Sequence, residues 1–471
     1  MTIRTRFSPS PTGMIHIGNA RAALFSALYA KKNNGHFILR IEDTDLARSD
    51  EQFVESLIED LHWLGIYWQE GPGQEGEYGP YWQSQRQAIY AKYYKILEEK
   101  GLVYPCFCTD QELMLARKLA LSKGHAPRYS GKCRQLSSDE IKQRMDEGKK
   151  PAWRFSVPVH SPIKFVDVVK GEQVFQSDDI GDFIIRRADG TAPFLFCNAM
   201  DDAEMKVSHV LRGEDHLANT PRQLMLLRAL NLHEPQYGHL SLIVGEDGAP
   251  LSKRHGSFSV SQFKDQGFLP VAIMNYLARL GHTSDDIQHL LSFDNLAPHF
   301  HLDKLSKSPA RFDVSQLMFW QKMAVAALDN AALWRWMGEH VRTMVPENAH
   351  DLFAESVKAN IEFPHDATHW ANIFFHDQVS LDETAKNAIR EAGEQFFVEA
   401  ELSVDKYGID LSKVLDEMKN TLSLSGKKLF IPLRMALTGQ AHGPELIKIV
   451  QLLGLKKVKH RLSQAFKLAS A

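Results

Sequence analysis

The first forty residues constrain the fold more than any other stretch of the chain. Thr2–Phe7 alternates polar and apolar side chains as a strand does, and Pro9, Pro11 and Gly13 then interrupt it. Ala20–Lys32 is alanine-rich, carries apolar residues at helical spacing, and stops at Gly35. His36–Ile41 alternates again and runs into Glu42-Asp43-Thr44-Asp45. Strand, helix, strand in that order predicts a parallel, doubly wound α/β sheet, whose ligands sit beyond the carboxyl ends of the strands.

The turn before the first helix carries chemistry. Two prolines stiffen Arg6-Phe7-Ser8-Pro9-Ser10-Pro11-Thr12-Gly13, and Gly13 supplies a backbone conformation that most residues resist. His16-Ile17-Gly18-Asn19 follows where a helix begins, and free N–H groups and the helix dipole favour anions there. Gly18 lets an adenine or ribose approach the backbone, and His16 can donate to a phosphate oxygen in a transition state. Read alone, His16 is as well explained as a helix cap. Much later Asp247-Gly248 turns the chain and Leu251-Ser252-Lys253-Arg254-His255-Gly256 follows, a loop whose lysine is a compact mobile cation suited to a transferring phosphate. Either motif alone is a weak match. Together, in this order, they predict a nucleoside triphosphate site.

At 471 residues the chain exceeds one hydrophobic core, and three or four folding units are expected. No run of some eighteen apolar residues offers a membrane span, and the start lacks a secretory apolar core. Four cysteines make no disulfide framework, which points to a reducing cytosol. Helices are expected at Asp50–Leu64 and Gln85–Lys100. Residues 105–190 read as an α+β insertion holding three of the cysteines, with strands at Ile163–Val169 and Asp182–Arg187. The α/β pattern resumes with a strand at His209–Gly213, a helix at Thr220–Leu230 and a strand at Leu240–Gly245. The expected division is 1–104 and 191–309 for the two halves of the core, 105–190 for the insertion, and 310–471 for an all-α region. The net charge is only −3, but from Lys427 to the end nine Lys or Arg face a single acid, Glu445. That excess fits either a solvated helix face or a phosphate-backbone footprint.

These strings resemble those of bacterial-type glutamyl-tRNA synthetases, within the class I aminoacyl-tRNA synthetases. Phe7–Gly13 with His16–Asn19 is similar to the family's HIGH region, and Leu251–Arg254 to its KMSKS loop. Further matches are Arg40-Ile41-Glu42-Asp43-Thr44-Asp45, Arg212-Gly213-Glu214-Asp215-His216 with Asn219-Thr220-Pro221-Arg222-Gln223, and Leu433-Arg434-Met435-Ala436-Leu437-Thr438-Gly439. The resemblance implies a Rossmann-type catalytic core, an insertion that holds the tRNA acceptor end, and an all-α anticodon-binding region. It implies Mg²⁺-ATP as cosubstrate, a glutamyl-adenylate intermediate, and transfer of L-glutamate to tRNA(Glu). By similarity His16, Ser252 and Lys253 serve catalysis. Gly18, Asn19, Asp215, His216 and Arg254 join His16 and Lys253 around ATP.

Recognition of glutamate needs cations or strong donors for two carboxylates and an anion for the ammonium. The matching positions are Arg6, Ser10, Glu42, Phe194, Asn198 and Arg212. The fork of Arg212 suits the side-chain carboxylate, and Glu42 sits where the family contacts the amino group. Two carboxylate-binding arginines would be wasted on an amide, which disfavours glutamine. The chain departs from the family pattern at Pro250, where the loop signature has a cation, and at Phe194, where relatives carry a tyrosine. Cys106-x-Cys108 and Tyr129-x₃-Cys133 suit a tetrahedral zinc. Some relatives bind zinc in this insertion, with a tyrosine at the place of Tyr129 in one form and a histidine at the place of Gln135 in another; His125 is a further candidate ligand. Other readings are a specialised or non-discriminating paralogue that glutamylates tRNA(Gln), a non-catalytic tRNA-binding paralogue, and a nucleotidyltransferase of another kind that shares the His-x-Gly core.

Overall fold

The computed structural model describes residues 2–44, 50–124, 127–251, 259–283 and 289–470. Two compact units divide the chain. One comprises Met1–Lys264 and Ile273–Val314, the other Asp265–Ala272 and Ser315–Ala471.

The first unit is built on four parallel strands. Their order across the sheet is His36–Leu39, Arg4–Phe7, His209–Gly213, Gln236–Leu240. The helix Ile17–Lys32 links the first strand to His36–Leu39 on one side, and the helix Thr220–Leu230 links His209–Gly213 to Gln236–Leu240 on the other. The winding direction therefore reverses between Arg4–Phe7 and His209–Gly213. Such a switch point opens a crevice at the carboxyl ends of the two strands, where ligands of open α/β sheets bind. The loop from Ser8 to His16 leaves one of those ends, and Glu214–Asn219 leaves the other.

The expected helices form at Ile17–Lys32, Glu51–Trp63 and, after a short 3₁₀ turn, Gln87–Glu99. The strand expected at Leu240–Gly245 forms earlier, at Gln236–Leu240. Gly238 and His239 hide it, because neither favours a strand by propensity. Both are needed in place: a Cβ on Gly238 would stand 2.7 Å from Val168 Cγ2, and His239 is fully buried. Ile243–Val244 instead pairs with Ala310–Arg311, and Pro250 bridges Val244 across a turn in which Gly248 takes φ +76°.

Between the two halves of the sheet, Val103–Cys106, Ala152–Phe155 and Phe183–Arg186 form an antiparallel sheet, and Pro162–Asp167 pairs with Gly171–Gln176 as a hairpin. The helices Asp110–Ser122 and Ser138–Asp146 begin with full capping boxes, at Thr109 and Ser137, and bury no residue.

The second unit is helical throughout its described residues from 315 on, around a core that includes Phe353, Trp370, Phe374, Phe396, Phe397, Leu433 and Leu462. Gly267 belongs to it: its carbonyl accepts from Trp336 and Gln321, and its φ of +91° and the close approach of Pro364 Cδ exclude any side chain. Among the described residues no helix is long and apolar enough to cross a membrane.

Candidate active site

Arginines at buried positions dictate the centre of the crevice. Arg6 and Arg212 lie on the two central strands and Arg40 just beyond a third, and all three are buried. A buried cation is tolerated only when paired. The helix Phe194–Glu204 supplies most of the pairing: Asp202 accepts from Arg6 Nε at 3.3 Å and from Arg40 Nη1 at 2.8 Å, and Asp201 accepts from Arg86 Nε at 2.6 Å. Burial works against the Asp202 carboxylate, but Arg6 and Arg40 outweigh it and hold its pKa below the usual range. Asp201 and Asp202 are site residues that sequence reasoning missed. No local pattern singles them out, because the helix Phe194–Glu204 carries a third acid, Glu204, and the polar Asn198 as well.

Glu42 is held from both ends. Its backbone N–H donates to Pro9 O at 3.0 Å, and its Oε1 accepts from Asn198 Nδ2 at 2.7 Å. Asn198 Oδ1 in turn accepts from Arg40 Nη2 at 3.1 Å, so both ends of this amide are used in fixing Glu42. Glu42 Oε2 is buried and has no hydrogen-bond partner. Burial pushes the carboxyl up to about 7, against the opposing pull of Arg40 and Arg6. The result is one fixed, half-satisfied carboxylate buried beside Arg40.

Arg212 is its cationic counterpart. Nε donates to His239 Nε2 at 3.1 Å, and Nη2 donates to Thr220 Oγ1 and Gln223 Oε1, each at 2.8 Å. All three acceptors are neutral, and Nη1 is buried without a partner. Burial lowers the pKa of Arg212 to about 10, which leaves it charged at neutral pH. A guanidinium buried among neutral acceptors with a free N–H is arranged to receive an anion. Arg6 and Glu42 lie close enough to Arg212 to act on it electrostatically. Phe194 stacks on His216 with ring centroids 5.3 Å apart, so the ring at this position supports a histidine although it has no hydroxyl. Burial depresses the His216 pKa, and Arg212 and Arg6 add to this against the opposing pull of Asp215.

The neighbouring loop holds the first motif. His16 is the N-cap of Ile17–Lys32, its side chain makes no capping hydrogen bond, and no acid lies in the first turn. The simple capping explanation of His16 therefore fails. His16 and Asn19 are exposed and Gly18 is partly so. A Cβ at Gly18 would meet no described atom within 4 Å, so internal packing does not demand glycine there. Ser10 is exposed in the same loop, and Asp215, also exposed, places Oδ2 3.6 Å from His216 Nε2. Ser252, Lys253, Arg254 and the alternative ligand His125 lie outside the described residues. The chain on either side of 252–258 is placed: Leu251 donates to Ile243 O, and Val260 donates to Ile15 O at 3.0 Å while Ser259 bridges His16. The segment that follows 252–258 is thus paired with the N-cap residue of the helix Ile17–Lys32.

In the insertion, Cys106, Cys108 and Cys133 place their sulfurs within 4.8 Å of one another. Cys108 and Cys133 Sγ are 3.6 Å apart, and Tyr129 Oη lies 3.4 Å from Cys106 Sγ and 3.6 Å from Cys108 Sγ. All three thiols are free. A tetrahedral zinc with bonds of about 2.3 Å needs sulfurs about 3.8 Å apart. The donor set and its spacing fit such an ion.

The basic tail is less exposed than its charge count suggests. Arg461 is buried and donates to Ile373 O, and Lys457 donates to Phe374 O and Phe375 O, so two cations satisfy the last carbonyls of the helix Pro364–Phe375. Arg434 donates to Pro444 O, Lys448 pairs with Glu355 and Lys459 with Asp405. Lys427, Lys428, Lys456 and Lys467 remain exposed without a carboxylate partner among the described residues.

Comparison with known proteins agrees with this architecture. Residues 2–319 match the family model for the catalytic domain of class I tRNA synthetases (E and Q), and residues 325–466 match an anticodon binding domain. The chain is 52% identical over 465 residues to glutamate–tRNA ligase 2 of Coxiella burnetii, covering 98% of this chain and 99% of that one. It is 50% identical over 460 residues to glutamate–tRNA ligase 2 of Nitrosococcus oceani, covering 98% and 97%. The crystal structure of glutamate-tRNA synthetase from Elizabethkingia anophelis superposes with a TM-score of 0.89 at 28% identity, over 99% of this chain and 100% of that chain. A parallel sheet with its crevice at the switch point, followed by a helical anticodon-binding unit, is thus shared along the whole length, and the chain belongs to the glutamate–tRNA ligase family of class I aminoacyl-tRNA synthetases.

Proposed function

We propose that this protein joins L-glutamate to tRNA(Glu) in the cytoplasm. The α-carboxylate of glutamate attacks the α-phosphate of Mg²⁺-ATP, diphosphate leaves, and a terminal ribose hydroxyl of the tRNA then takes the glutamyl group and releases AMP. The observation that carries this reading is the pair of half-satisfied buried charges, Arg212 with a free Nη1 and Glu42 with a free Oε2. They complement a substrate that carries a carboxylate at one end and an ammonium at the other. In this reading Arg212 takes the side-chain carboxylate, Glu42 the ammonium, and Arg6 with Ser10 the α-carboxylate. Asn198 works one step back by orienting Glu42, Phe194 borders the glutamate, and His216 with Asp215 borders the nucleotide.

Catalysis asks for positioning and charge stabilisation more than for covalent chemistry. His16, Gly18 and Asn19 offer the phosphates an uncapped helix N-terminus, and Ser252, Lys253 and Arg254 supply the loop cation. Lys253→Ala is expected to cut the rate of glutamate-dependent diphosphate exchange by about 10²-fold or more, with tRNA supplied and its affinity little changed. An unchanged rate removes the loop from the mechanism.

Cys106, Cys108, Cys133 and Tyr129 would hold zinc, whose contribution is a structural cross-link between the strand Val103–Cys106 and the segment 129–133. The purified protein is expected to contain about one zinc per chain by elemental analysis, and Cys133→Ser to lose it; a metal-free wild type would leave the cluster as a set of packed thiols.

The function is tested by offering purified tRNA(Glu) and tRNA(Gln) side by side with radiolabelled glutamate. Charging of tRNA(Glu) alone supports the reading. Substantial charging of tRNA(Gln) would replace it with a non-discriminating enzyme whose product needs a downstream amidation. No charging despite tight tRNA binding would leave a non-catalytic paralogue.

A further inference from the structure

Behind Arg212 stands a buried histidine–carboxylate pair that none of the roles above uses. His239 Nδ1 lies 2.5 Å from Asp167 Oδ2, and both side chains are completely buried. Asp167 Oδ1 accepts the backbone N–H of Val169 at 2.9 Å, of Lys170 at 2.8 Å and of His239 itself at 3.2 Å. Asp167 ends the strand Pro162–Asp167 of the insertion hairpin, whereas His239 lies on the outer strand of the catalytic sheet. The junction is close because residue 238 is a glycine, and Val168 N–H donates to Tyr237 O at 2.8 Å across it.

The hydrogen-bond chemistry determines the tautomer. A guanidinium N–H can only donate, so the 3.1 Å contact of Arg212 Nε with His239 Nε2 requires a lone pair on Nε2. The imidazole proton must then sit on Nδ1, where the Asp167 carboxylate receives it. Thr220 Oγ1 lies 3.1 Å from the same Nε2 and accepts from Arg212 Nη2, which closes the arrangement around the guanidinium. Turning Nε2 into a donor would set an N–H against an N–H and push the arginine fork out of line.

We propose that His239 is a positioning residue for Arg212, fixed in its Nδ1–H tautomer by Asp167, so that a carboxylate of the insertion hairpin sets how well the site binds the substrate's side-chain carboxylate. The inference rests on the reading of Arg212 as the group that receives that carboxylate. It adds a specificity determinant in a different part of the chain, and it links the hairpin to the amino-acid pocket through two side chains.

The decisive variant is Asp167→Asn in the full-length enzyme. An amide can donate to Nδ1 and so favours the Nε2–H tautomer, a change of almost no volume. The KM for glutamate is expected to rise about tenfold or more, with kcat and the KM for ATP within about threefold and the melting profile little moved. His239→Gln keeps an acceptor near the Nε2 position and should stay close to wild type. His239→Asn keeps only the Nδ1-like donor to Asp167 and should behave like Asp167→Asn. In an Arg212→Lys background, Asp167→Asn should add little to the glutamate KM, because the fork it positions is gone. A glutamate KM unmoved by Asp167→Asn while Arg212→Lys raises it would overturn the proposal and leave the reading of Arg212 intact. A glutamate KM unmoved by Arg212→Lys would defeat that reading itself. Equal losses in kcat and both KM values, with His239→Gln as damaged as His239→Asn, would make the pair merely structural.

Discussion

Replacing Arg212 with alanine is expected to lower kcat/KM for glutamate by about 10³-fold and to leave the KM for ATP within about threefold. The guanidinium is buried, and its three protein acceptors, on His239, Thr220 and Gln223, are all neutral. No neighbouring carboxylate shares its charge through a described ion pair, so the bound substrate would be its first full counter-ion. Truncating one member of a buried charge pair costs about 2–5 kcal/mol, and each 1.4 kcal/mol is a factor of ten. Arg212→Lys should fall between the two, because an ammonium keeps the charge and loses the fork. The variant should also blur the preference for glutamate over glutamine, since a polar site rejects an analogue chiefly by leaving its own buried groups unpaired. The check is steady-state aminoacylation over a glutamate series, with competition by glutamine. A glutamate KM unchanged in Arg212→Ala would dismiss the arginine from recognition.

Glu42→Gln should produce opposite effects on activity and on stability. The carboxylate would face the substrate ammonium, and loss of that pairing is expected to reduce kcat/KM for glutamate by about 10²-fold or more. In the wild type, burial raises the Glu42 pKa to about 7. The free enzyme therefore takes up a proton at this site as pH falls through 7, and kcat/KM should drop toward tenfold per unit below it. The variant should lose that limb. Stability runs the other way. A carboxyl whose folded pKa lies above its unfolded value favours the fold most at pH below the unfolded value, and that advantage is lost as pH rises through 7. At pH 8 the ionised Glu42 strains the folded chain, so the glutamine variant should melt at a higher temperature than the wild type. A lower melting temperature at pH 8, or a wild-type profile flat between pH 6 and 8, would contradict the argument.

Local pattern carried much of the fold. The opening strand–turn–helix–strand, the strand His209–Gly213 and the helix Thr220–Leu230 are visible because their apolar spacing, prolines and helix-stopping glycine act over neighbouring residues. The strand Gln236–Leu240 is not visible, since its glycine and histidine answer to Val168 and Asp167 far away in sequence. The same limit applies to the site. Arg6, Glu42 and Arg212 stand in recognisable strings. Asp202, which holds Arg6 and Arg40, and His239, which holds Arg212, are identified only by what they touch. The basic tail shows how counting charges misleads without burial: Arg461 and Lys457 close the end of a helix from within, which leaves fewer cations on the surface than the count suggests.

The strand order also fixes when the catalytic half can fold during synthesis. Arg4–Phe7 has His209–Gly213 as its second neighbour, and the backbone N–H of Arg4 donates to a serine 204 residues downstream. Until that segment leaves the ribosome, the first strand keeps an open edge, and Arg40 lacks the aspartates that neutralise it. Pairings over such separations are slow to form, and an open edge invites the wrong partner. The nascent protein therefore passes through most of its N-terminal half without a completed sheet, and Phe194–Gly213 is the stretch whose emergence commits it to the native topology.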